Sequence, residues 1–406
     1  MAFDYTSFFR ADLPPAATKW TGLKKYHFVG GNNDEDSVPV ERLAKAASDA
    51  LLREGHTLAT YRLQSGPQGY LGLREFVAKK LAARAGMTDS ADDIYLTTGS
   101  LQVIDLVNDA LLEPGDVIIV EKASYGGSLS RFRACGANLI GVDLDDDGMR
   151  MDRLAATLED LKQHSRKPKF IYTIPTVQNP TGSVMTEQRR LEMLKLATAY
   201  DIPIFEDDCY ADLLWEGERP KAIRALDDTG RVIYCGSFSK SIAPALRVGY
   251  MVAEWDVLRR VMPLEPGAGS GALEQLTLAG YDLPTFNDHV DRLQNTLREK
   301  CEVMIAALNE QFGASAEFKR PKGGIFLWIT LPKDVNTSEL AIAAAAEGVA
   351  INPGVDWSTD KKTGQHQLRL CFAHPSKEII REGIAKLAEI CHRETGIPKR
   401  GSNVER

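Results

Sequence analysis

The chain has 406 residues, 44% of them hydrophobic and 26% charged, which is typical of a folded globular protein of two or three domains. Its 49 basic and 56 acidic residues leave a net charge of −7. A general nucleic-acid binder is therefore not expected, because phosphate contacts require a clustered positive excess. The sequence contains no run of about 18 apolar residues, so no membrane-spanning helix is expected.

Cysteine and histidine spacing gives no support for a metal site. The six cysteines form no CxxC pair, and the seven histidines form no HxxxH or HExxH pair. The N-terminal stretch MAFDYTSFFRADLPPAA contains acidic residues and no sustained apolar core, unlike a secretory signal. These observations predict a cytoplasmic protein with reduced cysteines and no metal.

The first part of the chain is predicted to be irregular and then helical. Residues 1–40 are rich in turn-forming residues, apolar residues recur at helical spacing over 40–54, and a second amphipathic helix over 71–86 closes at Gly86.

From about residue 94, short β-rich runs alternate with helical stretches. This alternation predicts right-handed crossovers and a mainly parallel sheet with helices on both faces. In such sheets the ligand binds beyond the carboxyl ends of the strands. The predicted strands are 93–98, 116–121, 139–143, 169–174, 202–207, 231–236 and 248–252, and the predicted helices between them are 100–113, 151–164 and 187–201.

A Gly/Pro-rich stretch, 262–285, is interpreted as a change of domain or a mobile segment. A long helix over about 286–312 then leads into a smaller αβ unit. We therefore expect an N-terminal segment (1–45) that joins the small domain, a large domain (46–285), a small C-terminal domain (286–398) and a polar tail (399–406).

Polar residues of types that can take part in catalysis follow the ends of three predicted strands. SFSK at 237–240 places a lysine just past a strand, NPTG begins at Asn179, and EDDCY spans 206–210. Taken singly, each has a plain alternative. The lysine could lie in a serine-rich surface loop, the acids could form a solvated loop or bind a divalent cation, and NPTG is a strong turn signal.

The order of the three motifs favours one interpretation. NPTG, EDDxY and SFSKxxxPxxR on successive strand-to-helix connections resemble the fold-type-I pyridoxal-phosphate (PLP) enzymes. More narrowly, residues 25–395 resemble the class I/II aminotransferases, in the branch that includes kynurenine and 2-aminoadipate aminotransferases. The resemblance implies an α/β fold with a large domain, a mainly parallel seven-stranded sheet and a smaller αβ domain.

The resemblance also implies roles for five residues around the cofactor ring. Lys240 would form a Schiff base and act as general base and acid. Asp207 would pair with the protonated pyridine nitrogen, so that the ring can accept electrons. Asn179 and Tyr210 would donate hydrogen bonds to the phenolic oxygen of the ring, and Tyr125 would stack on its face.

The cofactor phosphate needs donors of its own. Ser100 and Leu101 lie where a strand turns into a helix, so backbone amides and the helix dipole would face an anion. The hydroxyls of Ser237 and Ser239 and the guanidinium of Arg247 would complete this site.

The substrate would bind next to the ring. Arg369 would hold the α-carboxylate, with an exposed strand arginine as the alternative interpretation. Gly31 would supply a backbone position near the substrate, and Asn179 would lie close to it. The polar run Asn32, Asn33, Asp34 replaces the family's usual proline and suggests a polar or cationic substrate.

The family also implies a homodimer with shared active sites. A tyrosine in the loop before the second helix usually reaches the phosphate of the neighbouring subunit. Here Gln64 or Ser65 occupies the matching position, and Tyr61 is the nearest possible substitute.

The leading functional prediction is a ping-pong aminotransferase that moves the amino group of an L-amino acid to a 2-oxo acid. The alternative is the same fold diverted to elimination or replacement, decarboxylation, cyclisation or oxidation. A transcriptional regulator built on this fold is disfavoured because the chain is acidic.

Overall fold

The computed structural model describes residues 3–9, 13, 16–17, 19–265 and 269–398. The predicted tail, 399–406, lies outside the described residues. Within the described part of the chain, no helix is both long and apolar enough to cross a membrane.

Strands and helices alternate through most of the chain. The strands, numbered in chain order, are β1 Tyr26–His27, β2 Ile94–Thr97, β3 Val117–Glu121, β4 Asn138–Val142, β5 Leu144–Asp145, β6 Gly148–Met149, β7 Phe170–Thr173, β8 Ile204–Asp207, β9 Val232–Ser237, β10 Gly249–Val252, β11 Glu317–Phe318, β12 Phe326–Thr330, β13 Val349–Ala350, β14 Asn352–Pro353 and β15 Gln367–Cys371. The helices are α1 Val40–Glu54, α2 Leu71–Ala85, α3 Ser100–Leu111, α4 Gly126–Ala134, α5 Met151–Gln163, α6 Glu187–Ala199, α7 Ile223–Leu226, α8 Trp255–Val261, α9 Ala272–Ala279, α10 Leu283–Phe312, α11 Thr337–Ala346, α12 Lys361–Gly364 and α13 Lys377–Thr395.

A seven-stranded sheet forms the centre of the molecule, in the order β2-β10-β9-β8-β7-β3-β4. Strand β10 is antiparallel to both neighbours, and every other adjacent pair is parallel. The short link between β9 and β10 contains no α-helix to return the chain to the opposite edge, so these two strands run in opposite directions. The predicted mainly parallel seven-stranded sheet is confirmed.

Six adjacent strands of this sheet, all except the edge strand β4, are buried along their whole length. Strands β2, β3 and β7 to β10 contain only buried residues, as expected when helices cover both faces. Because most of these strands are parallel, their carboxyl ends meet at one edge, and residues 98–101, 122–125, 174–179, 208–210 and 238–240 follow these ends.

A second, four-stranded antiparallel sheet, β11-β12-β15-β14, lies in the C-terminal part of the chain. Helices α10 and α13 pack on each other beside it. The N-terminal strand β1 pairs in parallel with β13, which attaches the start of the described chain to this C-terminal unit.

The described chain contains five helices that the sequence analysis did not predict: α4, α7, α8, α9 and α12. Helices α4 and α8 were not expected, because α4 begins with two glycines and α8 has only seven residues. Helix α9 lies inside the 262–285 stretch that was interpreted as a mobile segment, and four of its eight residues are buried. The bounds of α1 and α2 agree with the prediction, and Gly86 closes α2 with a positive φ of 71°.

Candidate active site

A cavity of about 320 Å³ lies at the carboxyl edge of the central sheet. It brings together residues that are far apart in sequence but that were predicted to share one site. The predicted site residues that line it are Gly31, Ser100, Leu101, Tyr125, Asp207, Tyr210, Ser237, Ser239, Lys240, Arg247 and Arg369. Asn179 is behind this lining and contacts two of its members.

Lys240 lies in the link that follows β9. Its Nζ donates a hydrogen bond of 2.6 Å to the backbone oxygen of Gly31. A Cβ on Gly31 would lie 2.6 Å from the same nitrogen, so any other residue here would displace the amine from this position. Burial lowers the pKa of the Lys240 amine to about 8, which brings its neutral form within reach of physiological pH.

Asp207 ends β8 and is 4% exposed. Its Oδ2 accepts a 2.7 Å hydrogen bond from the hydroxyl of Tyr172, and its Oδ1 accepts a longer one, 3.4 Å, from the backbone nitrogen of Cys209. Burial raises the pKa of Asp207, and hydrogen bonds from Cys209 and Tyr172 oppose that rise.

A chain of polar contacts runs through Asn179, behind the cavity wall, from Tyr210 to Arg369. The Nδ2 of Asn179 donates to the hydroxyl of Tyr210 at 3.3 Å, and its Oδ1 accepts from Nη1 of Arg369 at 3.1 Å. The amide therefore fixes the relative positions of the phenol and the guanidinium. Burial raises the pKa of the Tyr210 hydroxyl well above its usual value, so this group is a neutral donor.

Arg369 is only 2% exposed, which removes the alternative of a surface strand arginine. Its guanidinium carbon lies 3.6 Å from the ring centroids of both Phe326 and Trp357. Its Nη2 donates to the backbone oxygen of Gly30 at 2.8 Å and to Oδ1 of Asn352 at 2.9 Å. Its Nε is buried without a hydrogen-bond partner, and burial lowers its pKa to about 10.

The other end of the cavity is arranged for an anion. Helix α3 begins there at Ser100, after Gly99 with a positive φ of 78°. Arg247 lies against Gly99, where any Cβ would overlap the guanidinium, and its Nη2 donates to the backbone oxygen of Thr98 at 3.2 Å. The hydroxyl of Ser237 accepts from the backbone nitrogen of Ser239 at 3.1 Å.

These groups fit pyridoxal phosphate. A helix N-terminus, hydroxyls and an arginine at one end suit a phosphate. A buried carboxylate suits a protonated ring nitrogen, and a lysine amine suits the aldehyde. The partnerless Nε of Arg369 provides a further donor for an anionic substrate beside the ring.

Four residues of the site lacked a recognisable sequence signal. Trp357 and Asn352 come from the loop and strand before β15, and only the folded chain brings them to Arg369. Phe326 and Tyr172 lie in the apolar runs of strands, and their partners Arg369 and Asp207 are distant in sequence.

The polar run after Gly31 does not line the cavity. Asn33 and Asp34 are both buried, and Nδ2 of Asn33 donates to the backbone oxygen of Ser239 at 3.1 Å. Asp34 forms an ion pair with Lys300 on α10. The hypothesis of a polar or cationic substrate rested on these side chains and is therefore withdrawn.

One group of possible metal ligands occurs among the described residues. The ligand atoms of Asp207, Cys209 and Cys235 lie within 4.8 Å of one another. Burial raises the pKa of the Cys235 thiol well above its usual value, which disfavours the thiolate that a metal would require. The cluster coincides with the carboxylate that fits the cofactor ring.

Comparisons with known proteins agree with this geometry. The family model for aminotransferase class I and II matches residues 23–387. Aromatic-amino-acid aminotransferase 1 of Thermococcus litoralis is 35% identical over 90% of this chain and 88% of its own length. The 2-aminoadipate transaminase of Thermus thermophilus is 32% identical over 89% of this chain and 88% of its own length.

A solved structure extends the match to the fold. Pyrococcus horikoshii kynurenine aminotransferase, in complex with PMP, KYN and KYA, has a TM-score of 0.84 and 32% identity, with 90% of each chain covered. The architecture is thus that of fold-type-I PLP enzymes. This chain belongs to the aminotransferase class I and II family and is a PLP-dependent enzyme that transfers the amino group of an amino acid to a 2-oxo acid.

Proposed function

We propose that transamination takes place in the 320 Å³ cavity. The observation that carries this proposal is that the amine of Lys240, the carboxylate of Asp207 and the guanidinium of Arg369 face the same cavity. No two of these residues come from the same motif, so their convergence is a property of the fold.

The cofactor-binding roles follow from the contacts. Ser100, Leu101, Ser237, Ser239 and Arg247 hold the phosphate through hydroxyls, backbone amides and one guanidinium. When bound, pyridoxal phosphate supplies an electron-withdrawing ring that stabilises negative charge at the α-carbon of the substrate.

The ring is fixed by the remaining residues of the cavity. Asp207 pairs with the ring nitrogen and keeps it protonated, and Tyr125 covers one face. Tyr210 and Asn179, already linked by a 3.3 Å hydrogen bond, donate to the phenolic oxygen.

Lys240 is the residue that binds the cofactor covalently and moves the proton at the α-carbon. Its amine has a pKa lowered to about 8, so both its protonated and neutral forms are accessible near neutral pH. The backbone oxygen of Gly31 holds Nζ at the wall of the cavity.

Arg369 binds the α-carboxylate of the donor amino acid and of the acceptor 2-oxo acid in turn. Its guanidinium is held by stacking contacts with Phe326 and Trp357, whose ring centroids each lie 3.6 Å from the guanidinium carbon. A guanidinium held in this way favours bidentate binding of a carboxylate. The two aromatic rings also give the substrate side an apolar wall.

The decisive experiment follows the cofactor spectrum of the reconstituted protein. We expect an amino acid to remove the visible absorption of the PLP form, and a 2-oxo acid to restore it after the first product is removed. The Lys240→Ala variant should lose this cycle. The control Lys122→Ala should keep it, because Lys122 is 41% exposed and pairs with Asp143 at 2.8 Å. Release of ammonia or carbon dioxide in place of the restored band would favour the diverted chemistries.

The active site is proposed to be shared between two copies of the chain. Tyr61 is 91% exposed and does not line the cavity of its own chain. It precedes three residues, Arg62, Leu63 and Gln64, with left-handed φ values of 63°, 49° and 57°. Such a backbone is strained and needs outside support. Leu52, 87% exposed, adds apolar surface nearby. We propose Tyr61, in preference to Gln64 or Ser65, as the residue that reaches the cofactor phosphate of the other copy.

Mixed dimers test this sharing. Lys240→Ala and Tyr61→Ala subunits should each be impaired alone. A hybrid dimer would recover activity, because one of its two sites takes Lys240 and Tyr61 from unmutated positions. If the hybrid dimer is no more active than either parent variant, the site is not shared. If the molecular mass of the native protein in solution corresponds to one chain, the protein is not a dimer.

The domain division and location are also proposals. Pairing of β1 with β13 supports an N-terminal segment (1–45) attached to a small domain (286–398), with the large domain at 46–285. All six cysteines are free, which supports a reducing compartment such as the cytoplasm.

A further inference from the structure

Tyr172 lies behind the cavity, in the middle of the central sheet. It is on β7, fully buried, with its ring 5.2 Å from Phe132 and 5.4 Å from Phe205. Its hydroxyl donates to Oδ2 of Asp207 at 2.7 Å. Tyr172 does not line the cavity, so it acts on the site only through Asp207.

Asp207 depends on such donors because it is buried. Transfer of a carboxylate out of water favours its neutral form, and this raises its pKa. Its donors are the Tyr172 hydroxyl on β7 and Cys209, which follows β8 directly and donates from both its backbone nitrogen and its thiol. The titratable groups that face it are Tyr172 on β7, Cys235 on β9, Asp208, Cys209 and Tyr210 after β8, and Tyr125 before α4.

We infer that Tyr172 is a positioning residue, whose hydroxyl keeps the Asp207 carboxylate ionised and directs its other oxygen toward the cofactor ring. The inference rests on the proposed pairing of Asp207 with the ring nitrogen. A hydrogen bond to the ionised form favours that form. Tyr172 forms the shorter of the two hydrogen bonds, 2.7 Å to Oδ2 against 3.4 Å from the backbone nitrogen of Cys209 to Oδ1, so Oδ1 is held less tightly by the backbone than Oδ2 is by the tyrosine.

The sheet contains a matched control. Tyr234 is on β9, is 1% exposed, and its hydroxyl donates to Oδ2 of Asp208 at 3.2 Å. Asp208 does not line the cavity and pairs with Arg219 at 2.7 Å. Tyr234→Phe thus removes a buried tyrosine hydroxyl from a buried carboxylate next to Asp207 in sequence, without touching the proposed cofactor contact.

The test measures the dissociation constant of pyridoxal phosphate as a function of pH. We expect Tyr172→Phe to weaken binding about tenfold, in line with the loss of a hydrogen bond to a charged group. The loss of affinity on the acidic side of the pH profile (the acidic limb) should begin about one pH unit higher, because Asp207 then protonates more easily. Tyr234→Phe should move neither quantity. The midpoint of urea unfolding shows whether each variant is folded.

Two further substitutions separate the possible failures. Asp207→Asn should weaken binding and abolish the acidic limb. If it changes neither, the proposed role of Asp207 fails, and with it that of Tyr172. If Asp207→Asn behaves as expected but Tyr172→Phe equals Tyr234→Phe, only the inference about Tyr172 is overturned. A fluorinated tyrosine at position 172 is a stronger donor, so it should move the limb to lower pH; an unchanged limb would contradict the inference.

Discussion

The geometry around Arg369 gives a sharp prediction for Arg369→Lys. In the native protein the guanidinium is held by stacking contacts with two aromatic rings at 3.6 Å each, and its Nε is buried without a partner. Lysine keeps the positive charge, but it offers neither the planar fork nor the stacking surface. The substitution therefore isolates the contribution of geometry from that of charge.

The expected magnitude follows from the number of hydrogen bonds lost. A bidentate carboxylate receives two, and a hydrogen bond to a charged group contributes about 1.5–3 kcal/mol. Loss of one and misplacement of the other amounts to about 2–4 kcal/mol of transition-state stabilisation, or roughly a thirty- to thousandfold drop in kcat/KM. Arg369 is 2% exposed, so solvent screening does not reduce this effect.

The assay is a single-turnover half-reaction with two donors: an amino acid and the corresponding amine without its carboxylate. Arg369→Lys should impair the first strongly and the second little. Arg190→Lys is the control, because Arg190 is also fully buried but donates to backbone and threonine oxygens away from the cavity. The reasoning would be refuted if Arg369→Lys slowed the half-reaction equally with both donors. It would also be refuted if Arg190→Lys slowed the amino-acid reaction selectively to the same extent.

Three further predictions concern the phosphate site, the catalytic amine and a buried ion pair. Gly99→Ala should weaken cofactor binding about tenfold or more in equilibrium dialysis, because its Cβ would overlap the guanidinium of Arg247. The rate of covalent PLP capture by Lys240 in cofactor-free protein should rise with pH through about 8, because only the neutral amine is nucleophilic and burial lowers its pKa. Asp212→Asn should lower the free energy of unfolding by about 3–5 kcal/mol in urea at pH 7, because it leaves the buried Lys80 without its partner at 2.7 Å.

Each of these has its own control. Gly115 has a similar positive φ, 96°, with nothing within 4 Å of a Cβ, so Gly115→Ala should leave cofactor affinity unchanged. A capture midpoint near 10.5 would contradict the depressed pKa of Lys240. The pKa of Asp212 is about 2, since Lys80 and two arginines outweigh the effect of burial. Its contribution to stability should thus be present above about pH 4 and be lost as pH falls toward 2. Asp152→Asn breaks an exposed, solvent-screened pair and should leave the free energy of unfolding unchanged within experimental error.

The fold and the cofactor end of the site could be predicted from the sequence for a physical reason. Except for Asn179, which lies six residues beyond β7, each residue concerned lies within four residues of a strand that is itself marked by a short apolar run, as Lys240 follows β9 and Tyr125 follows β3. Parallel strands end at the same edge, so sequence position relative to a strand end translates directly into position in space. Helix α4, which begins with Gly126 and Gly127, shows the limit of local patterns.

The substrate end could not be predicted in the same way. Its contacts join side chains from separate parts of the chain, and the order of strands in the sequence does not show that these parts meet. Asn33 and Asp34 follow Gly31 directly and so seemed to belong to the pocket, yet the backbone turns them toward Ser239 and Lys300. A buried amide and a buried carboxylate need partners, and these were available behind the pocket wall.

The same requirement for partners explains which residues do form the substrate end. A guanidinium at 2% exposure needs acceptors and a surface that tolerates its charge, and the second is supplied by the faces of Phe326 and Trp357. These rings come from β12 and from the segment before β15, and Asn352 on β14 supplies an acceptor. The residues that hold Arg369 are thus also the walls that a substrate side chain meets. Under the proposed role of Arg369, selectivity among amino acids and binding of the α-carboxylate are coupled, and we expect a change at either ring to affect both.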